Sequence, residues 1–160
     1  MGAGIAQVSA CAGYSLTLVD IKADVIESGV ASIRSSLTRM VSKGRLDQKT
    51  SDEALDRIQT SLDLEDLAEC DLVVEAIPEV LDLKTSTFNR LDAICKPSAI
   101  LASNTSSISI NTIAESTSRP ERVIGMHFMN PVPIMKLVEV INGTHTCLLY
   151  TSPSPRDSRK

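Results

Sequence analysis

Apolar residues along the first part of the chain recur in two rhythms, one helical and one short and continuous. Small and apolar residues over Gly2–Ala12 predict a helix that Gly13 ends in a left-handed conformation. Leu16–Val19 is an apolar run with the length of a buried strand. Over Ala23–Lys43, apolar residues return every three or four positions, which predicts an amphipathic helix ended by Gly44.

The rest of the chain continues this alternation of helices and strands. Gln48–Ile58 is predicted to be a shorter helix, and Leu62–Ala68 a passage from strand to loop. Further strands are predicted at Leu72–Ile77, Ala99–Ala102, Val123–Phe128 and Lys136–Ile141, with helices from Leu83 to Lys96 and from Ile110 to Glu115. Because strands that alternate with helices form parallel sheets covered on both faces, the pattern predicts a doubly wound α/β fold.

Length, charge and cysteine usage narrow the class of protein. A chain of 160 residues is long enough for about one domain with one hydrophobic core. Its formal charge of -4 offers no basic surface to a nucleic acid, and its longest apolar runs, about five residues, are far below the ~20 that span a bilayer. Cys11, Cys70 and Cys95 lack C-x-x-C spacing, which favours reduced thiols in a cytosol-like compartment over a disulfide or a metal site.

Asp20 stands where dinucleotide-binding folds carry an acidic residue. It follows the predicted strand Leu16–Val19, about 18 residues after Gly2. A carboxylate in that place binds ribose hydroxyls and repels a 2′-phosphate, which favours NAD over NADP. An aspartate after a strand is also a common turn residue, so the position alone leaves both interpretations open.

His127 and Glu139 form a second candidate site. His127 is one of two histidines and lies on the predicted strand Val123–Phe128, where a single histidine is more often a bonded core residue than a catalyst. Glu139, in the next predicted strand, could reach the imidazole and hold it in the tautomer that accepts a proton. Ser106 is either a hydroxyl that belongs to this site or a plain cap between a strand and a helix.

Three short segments carry a resemblance to a known family. They are S-N-T-S-S at residues 103–107, G-M-H-F-M-N-P-V-P at residues 125–133 and K-L-V-E at residues 136–139. In order and spacing they resemble the 3-hydroxyacyl-CoA dehydrogenase family, especially its bacterial 3-hydroxybutyryl-CoA branch. The resemblance implies a Rossmann-type sheet that binds NAD and the reversible oxidation of (3S)-3-hydroxyacyl-CoA to 3-ketoacyl-CoA. It also implies fatty-acid β-oxidation or butanoate metabolism, in the cytoplasm or, for a eukaryotic source, the mitochondrial matrix.

The family's functional positions carry over onto this chain. By resemblance, His127 is the expected base, Glu139 orients it, and Ser106 hydrogen-bonds the reacting oxygen of the substrate. The expected cofactor contacts are Gly2, Asp20, Glu79, Lys84, Ser106 and Asn130, and the expected contacts of coenzyme A are Ser36 and Lys43. Without the resemblance, Glu79 and Lys84 would be read as a solvated helix start and an exposed lysine. Lys43, near a helix end, also suits the helix dipole.

Both ends of the chain are expected to depart from a complete enzyme. Residues 1–6 resemble the inside of the family's glycine-rich fingerprint, so we expect a first strand and two glycines to be missing before Met1. Residues 147–157 read back as codons of a transposase mosaic-end sequencing adapter. We therefore expect residues 1–146 to be a partial NAD-binding domain and residues 147–160 an artefactual, disordered tail. The family's helical C-terminal domain, through which the full-length protein would form a homodimer, is expected to be absent, and this chain alone to be inactive.

Two other identities stay open at this point. A sugar-acid dehydrogenase of the gulonate type shares much of this domain, and a lens crystallin is a non-enzymatic relative on the same scaffold. Ser36 with Lys43 favours a CoA ester as substrate. Ser106, His127 and Glu139 together argue against a purely structural protein.

Overall fold

The computed structural model describes residues 1–147, which fold as two compact units. Residues 1–69 and 128–137 form the first unit, and residues 70–127 with the segment from residue 138 onward form the second. The predicted tail lies outside the described residues except for Cys147. No helix in the described part of the chain is long and apolar enough to cross a membrane.

The first unit is built around two parallel strands and three helices. In chain order its elements are α1 (Gly2–Cys11), β1 (Leu16–Val19), α2 (Ala23–Ser42), α3 (Gln48–Asp56), β2 (Ile58–Ser61) and a 3₁₀ turn (Leu64–Leu67). β1 pairs in parallel with β2 along its whole length. The core between the helices consists of Ala6, Ala10, Ile33, Leu37 and Ala54. Alanines at these positions let α1 pack closely against its neighbours.

Local sequence signals set the ends of these helices. Gly13 and Gly44, with φ of 97° and 64°, take the left-handed conformation that glycine adopts without a steric cost after α1 and α2. Asp47 begins α3 because its carboxylate accepts a hydrogen bond of 2.8 Å from the Thr50 amide. The predicted bounds of these helices therefore agree with the structure to within two residues.

The second unit is a four-stranded sheet with two helices. Its elements are β3 (Leu72–Glu75), α4 (Leu81–Ile94), β4 (Ile100–Ser103), α5 (Ile110–Ala114), β5 (Val123–Phe128) and β6 (Val138–Asn142). The strand order is β3-β4-β5-β6, with β3, β4 and β5 parallel. Glu75, Ser103 and Gly125 lie side by side in this register. The carboxyl ends of the three parallel strands therefore form one edge of the sheet.

The predicted fold class is confirmed, with one local error. Parallel strands alternate with helices, and the strands form separate sheets of two and four members. The strand expected within Leu62–Ala68 lies earlier instead, as β2, and the 3₁₀ turn occupies the predicted region. β2 reads I-Q-T-S and carries a single apolar residue, so it is a strand because β1 pairs with it and not because of its own pattern.

Candidate active site

Polar residues gather where the parallel strands of the second unit end. Ser103 closes β4, and the segment Asn104–Ser107 continues from it toward α5. His127 lies near the end of the neighbouring strand β5. In open α/β sheets, ligands bind outside the carboxyl ends of the strands. The segment after β4 and the end of β5 are therefore the place to look for chemistry.

His127 and Glu139 form the pair that the sequence predicted. His127 Nδ1 lies 2.9 Å from Glu139 Oε2, and the side chains are 23% and 49% exposed. Gly125 is needed for this approach, because a Cβ there would lie 2.8 Å from Ile141 Cβ on β6. His127 Nε2 has no hydrogen-bond partner among the described residues. The pair therefore presents one bonded ring nitrogen and one that is available to a ligand.

Glu79 organises the segment that contains Ser106. Its Oε1 accepts hydrogen bonds from the Thr105 hydroxyl, from the backbone amides of Ser106 at 3.1 Å and Ser107 at 3.2 Å, and from the Ser107 hydroxyl at 3.0 Å. Its Oε2 lies 3.3 Å from Lys84 Nζ. One carboxylate thus fixes the backbone on both sides of the Ser106 side chain, which is itself exposed.

The same contacts keep Glu79 ionised. Partial burial raises the pKa of its carboxyl. The hydrogen bonds from Thr105, Ser107 and Lys84 lower the pKa by more than burial raises it, and they hold it at about 2. Glu79 is therefore a fixed negative charge at any pH at which the protein would function.

Lys84 is enclosed rather than exposed. Its side chain is 1% exposed, and its ammonium lies 2.7 Å from Glu75 Oε1, 3.3 Å from the Ile77 carbonyl oxygen and 3.3 Å from Glu79 Oε2. Three donors meet three acceptors. A direct contact from Lys84 to a cofactor would require one of these partners to be given up, so an action through Glu79 is the simpler geometry.

A small cleft adjoins the Ser106 segment. Its volume is about 300 Å³, and its lining includes Ser106, Ser107, Asn111, Asn142 and Gly143. Hydroxyls and amides share this wall with three isoleucines, and neither His127 nor Glu139 is among the lining residues. Ser106 therefore opens into a polar cleft of the unit that carries His127 and Glu139.

The remaining predicted residues belong to the first unit. Asp20 directly follows β1, and its Oδ1 accepts a hydrogen bond of 3.1 Å from the Lys22 amide. Asn130 is exposed in the turn after β5. Ser36 is half-buried on α2, and Lys43 is exposed at the C-terminal cap of that helix. The geometry leaves the roles of these residues as predictions.

Gly4 explains how α1 meets the turn that carries Asn130. A Cβ at Gly4 would lie 3.0 Å from Val132 Cβ, and Val132 is buried. Any larger residue would push the turn outward. Gly4 therefore serves the packing of α1 against this turn, in keeping with the fingerprint that the segment resembles.

Comparison with known proteins decides the family. Residues 1–148 match the family model described as 3-hydroxyacyl-CoA dehydrogenase, NAD binding domain. The chain belongs to this family. It is 51% identical over 146 residues to the 3-hydroxybutyryl-CoA dehydrogenase of Bradyrhizobium diazoefficiens, which covers 91% of the chain and 50% of that protein.

Other members of the 3-hydroxyacyl-CoA dehydrogenase family agree. The mitochondrial hydroxyacyl-coenzyme A dehydrogenase of Rattus norvegicus is 46% identical over 152 residues, covering 91% of the chain and 48% of the rat protein. The crystal structure of (S)-3-hydroxybutyryl-CoA dehydrogenase from Ralstonia eutropha superimposes with a TM-score of 0.89 at 46% identity, covering 91% of this chain and 52% of that one. The chain spans about half the length of these relatives.

Two residues of this 3-hydroxyacyl-CoA dehydrogenase domain escaped sequence reasoning. Glu75 is 4% exposed and accepts a hydrogen bond from the Ser103 hydroxyl at 2.7 Å as well as from Lys84. Thr105 is equally buried and bonds Glu79. The signal for Glu75 was present, since an acidic residue inside the apolar run L-V-V-E-A-I must find partners when the strand is buried.

Proposed function

We propose that the protein containing this chain is an oxidoreductase that reversibly converts a (3S)-3-hydroxyacyl-CoA to the 3-ketoacyl-CoA with NAD. The substrate is 3-hydroxybutyryl-CoA or a close homologue, which places the enzyme in fatty-acid β-oxidation or butanoate metabolism. The observation that carries the proposal is the contact of 2.9 Å between His127 Nδ1 and Glu139 Oε2 in a chain of this family.

The His127–Glu139 pair suits the removal of a proton from an alcohol. Glu139 accepts the hydrogen on Nδ1, which leaves Nε2 as the nitrogen that takes the proton from the 3-hydroxyl. Once the ring is protonated, the adjacent carboxylate stabilises its positive charge. The Ser106 hydroxyl hydrogen-bonds the 3-oxygen of the substrate. Glu79 holds Ser106 in place by accepting hydrogen bonds from the Ser106 and Ser107 amides.

The residues of the first unit fit a dinucleotide. α1 begins at Gly2, where a Cβ would meet no atom within 4 Å, and the backbone amides of Gly2 and Ala3 have no hydrogen-bond partner among the residues that the structure describes. Asp20 uses one oxygen for the Lys22 amide, and its other oxygen has no partner within residues 1–147. NAD, when bound, supplies the acceptor for the hydride from C3. We assign to it the contacts that the resemblance implies, which are Gly2, Asp20 and Asn130 in the first unit and Glu79, Ser106 and, through Glu79, Lys84 in the second.

Coenzyme A is assigned to α2. Ser36 and Lys43 lie seven residues apart, which puts them on one face of the helix two turns from each other. The Lys43 ammonium near the end of this long helix suits a phosphate of coenzyme A, and the resemblance assigns Ser36 to the same ligand. Residence in the cytoplasm and a homodimer formed through segments beyond this chain complete the proposal.

The proposal is tested with the chain joined to the segments that its B. diazoefficiens relative carries beyond the matched region, below called the completed enzyme. With NAD and (3S)-3-hydroxybutyryl-CoA, we expect steady formation of NADH, and much slower turnover with NADP. The same assay with L-gulonate is expected to give none. Turnover of gulonate without turnover of any 3-hydroxyacyl-CoA would favour the sugar-acid alternative, and turnover of neither would favour a non-enzymatic protein.

A variant ties the activity to His127. His127→Gln in the completed enzyme should lower kcat by about a hundredfold or more, the scale for loss of a general base, while KM for NAD stays nearly constant. His145→Gln is the matched control, because His145 is exposed and has no part in the pair. Equal kcat in His127→Gln and the parent would remove His127 from the reaction.

A further inference from the structure

Glu75 has a buried carboxylate whose two oxygens accept three hydrogen bonds. Oε1 accepts from Lys84 Nζ and from the Ile77 amide, both at 2.7 Å, and Oε2 accepts from the Ser103 hydroxyl at 2.7 Å. These donors come from α4, from the segment that follows β3 and from the end of β4. Glu75 therefore joins three elements at the edge of the sheet where Ser106 lies.

The contacts continue from Glu75 to Ser106 through two further charges. Lys84 bridges the carboxylates of Glu75 and Glu79, and Glu79 bonds the Ser106 and Ser107 amides. We propose that Glu75 is a positioning residue for the reaction, which acts through Lys84 and Glu79 to hold the Ser106 hydroxyl in place. This inference rests on the proposed function for the part played by Ser106, but its contacts stand independently of it.

A glutamate suits this position because of its charge and its two acceptor oxygens. Three donors converge on these oxygens, whereas a glutamine is neutral, offers one acceptor oxygen and removes the counter-charge of the Lys84 ammonium. Glu79 would then be the one carboxylate that pairs with Lys84, beside the Ile77 carbonyl oxygen. Because Glu79 also holds the Ser106 segment, its displacement moves Ser106.

The chain offers a matched control on the same helix. Asp92, in the last turn of α4, pairs with Arg119 at 2.6 Å, and both side chains are about one-tenth exposed. This pair also accepts the Ser118 amide at 2.6 Å and ties α4 to the loop before β5. It is a largely buried ion pair with a comparably short contact, and no hydrogen bond or ion pair joins it to the Ser106 segment.

Kinetics of the completed enzyme separate positioning from general stability. Glu75→Gln should lower kcat about tenfold with little change in KM for the acyl-CoA, since the lost interaction belongs to the reacting oxygen. In a Ser106→Ala background the same substitution should lower kcat by less than about twofold, because the group it positions is gone. Asp92→Asn should leave kcat unchanged. A full tenfold loss in the Ser106→Ala background, or no loss in the parent, would overturn the inference.

Amide hydrogen exchange provides a second test, which does not depend on enzymatic activity. Glu75→Gln should speed amide exchange in a peptide covering residues 105–108 by about tenfold, while Asp92→Asn should leave that peptide unchanged. If the completed enzyme turned over no 3-hydroxyacyl-CoA, the proposed function would fail and exchange alone would decide the positioning role. Unchanged exchange in Glu75→Gln would contradict it.

Discussion

Two pairs of side chains at the same sheet edge differ in how completely their polar atoms are hydrogen-bonded. The side chains of Glu75 and Lys84 are each 1% exposed. Both carboxylate oxygens of Glu75 accept hydrogen bonds, and the Lys84 ammonium has three acceptors around it. His127 and Glu139 share a single hydrogen bond and keep contact with solvent. A fully bonded buried pair cannot exchange protons with a ligand, so it holds geometry. An incompletely bonded exposed pair remains available for reaction.

Glu79 stands between these two extremes. It is 37% exposed at the side chain, yet its contacts with Thr105, Ser107 and Lys84 hold its pKa at about 2. Its charge is therefore permanent, as in the buried pair, while part of its surface still faces outward, as in the exposed one. The difference between the glutamates teaches that hydrogen-bond donors, more than burial alone, decide which carboxylate is held in place and which one stays open to a ligand.

The comparison would fail if the Glu75–Lys84 pair could be broken with little loss in the free energy of unfolding. Lys84→Met leaves the Glu75 carboxylate buried without its counter-charge, and such a loss costs about 3–5 kcal/mol. We expect the free energy of unfolding of the completed enzyme, measured in urea, to fall by this amount. Adding Glu75→Gln to Lys84→Met should restore part of the loss, because the unpaired charge is then removed. A double variant less stable than Lys84→Met would contradict this explanation.

A smaller effect on stability is expected from the Glu79 carboxylate, and it depends on pH. Because its pKa in the folded protein is lowered from 4.5 to about 2, its ionised form stabilises the fold fully above pH about 4.5, and this contribution is lost as the pH falls toward about 2. Glu79→Gln should therefore unfold at a lower temperature than the parent at pH 7, by less than Lys84→Met. The difference should shrink between pH about 4.5 and about 2.

The control for this pH dependence is Glu69→Gln. Glu69 is exposed, and no hydrogen bond or ion pair of its side chain occurs within the described residues. Its substitution should leave the unfolding temperature close to that of the parent at each pH. A difference between Glu79→Gln and the parent that stayed constant from pH 7 to pH 3 would argue against an ionised Glu79 as the source.

Periodicity predicted most of the fold because its elements carry their own signals. The stripe of α2 and the apolar runs of β1 and β5 are local patterns, and β1 and β5 were predicted to the residue. β2 was missed because its strand conformation depends on pairing with β1, more than 40 positions away. Pairing across that distance leaves no trace in a short window of sequence.

The candidate site divides in the same way. The contact between His127 and Glu139 was predicted, because the two lie close in sequence and the family motif includes both. The contacts of Glu75 with Ser103 and of Glu79 with Thr105 span 28 and 26 residues, and they depend on the parallel register of β3 and β4. Sequence marks a charge in a buried strand but does not say which partner neutralises it.

The state of His127 is the most direct test of the exposed pair as the reacting one. In the completed enzyme with ¹⁵N-labelled histidine, long-range ¹H–¹⁵N spectra at pH 8.5 should show His127 with its hydrogen on Nδ1, toward Glu139, and Nε2 bare. Glu139→Gln should reduce this preference, while His145 should show the same spectrum in both proteins. A hydrogen on Nε2 in the parent enzyme would contradict His127 as a base prepared by Glu139.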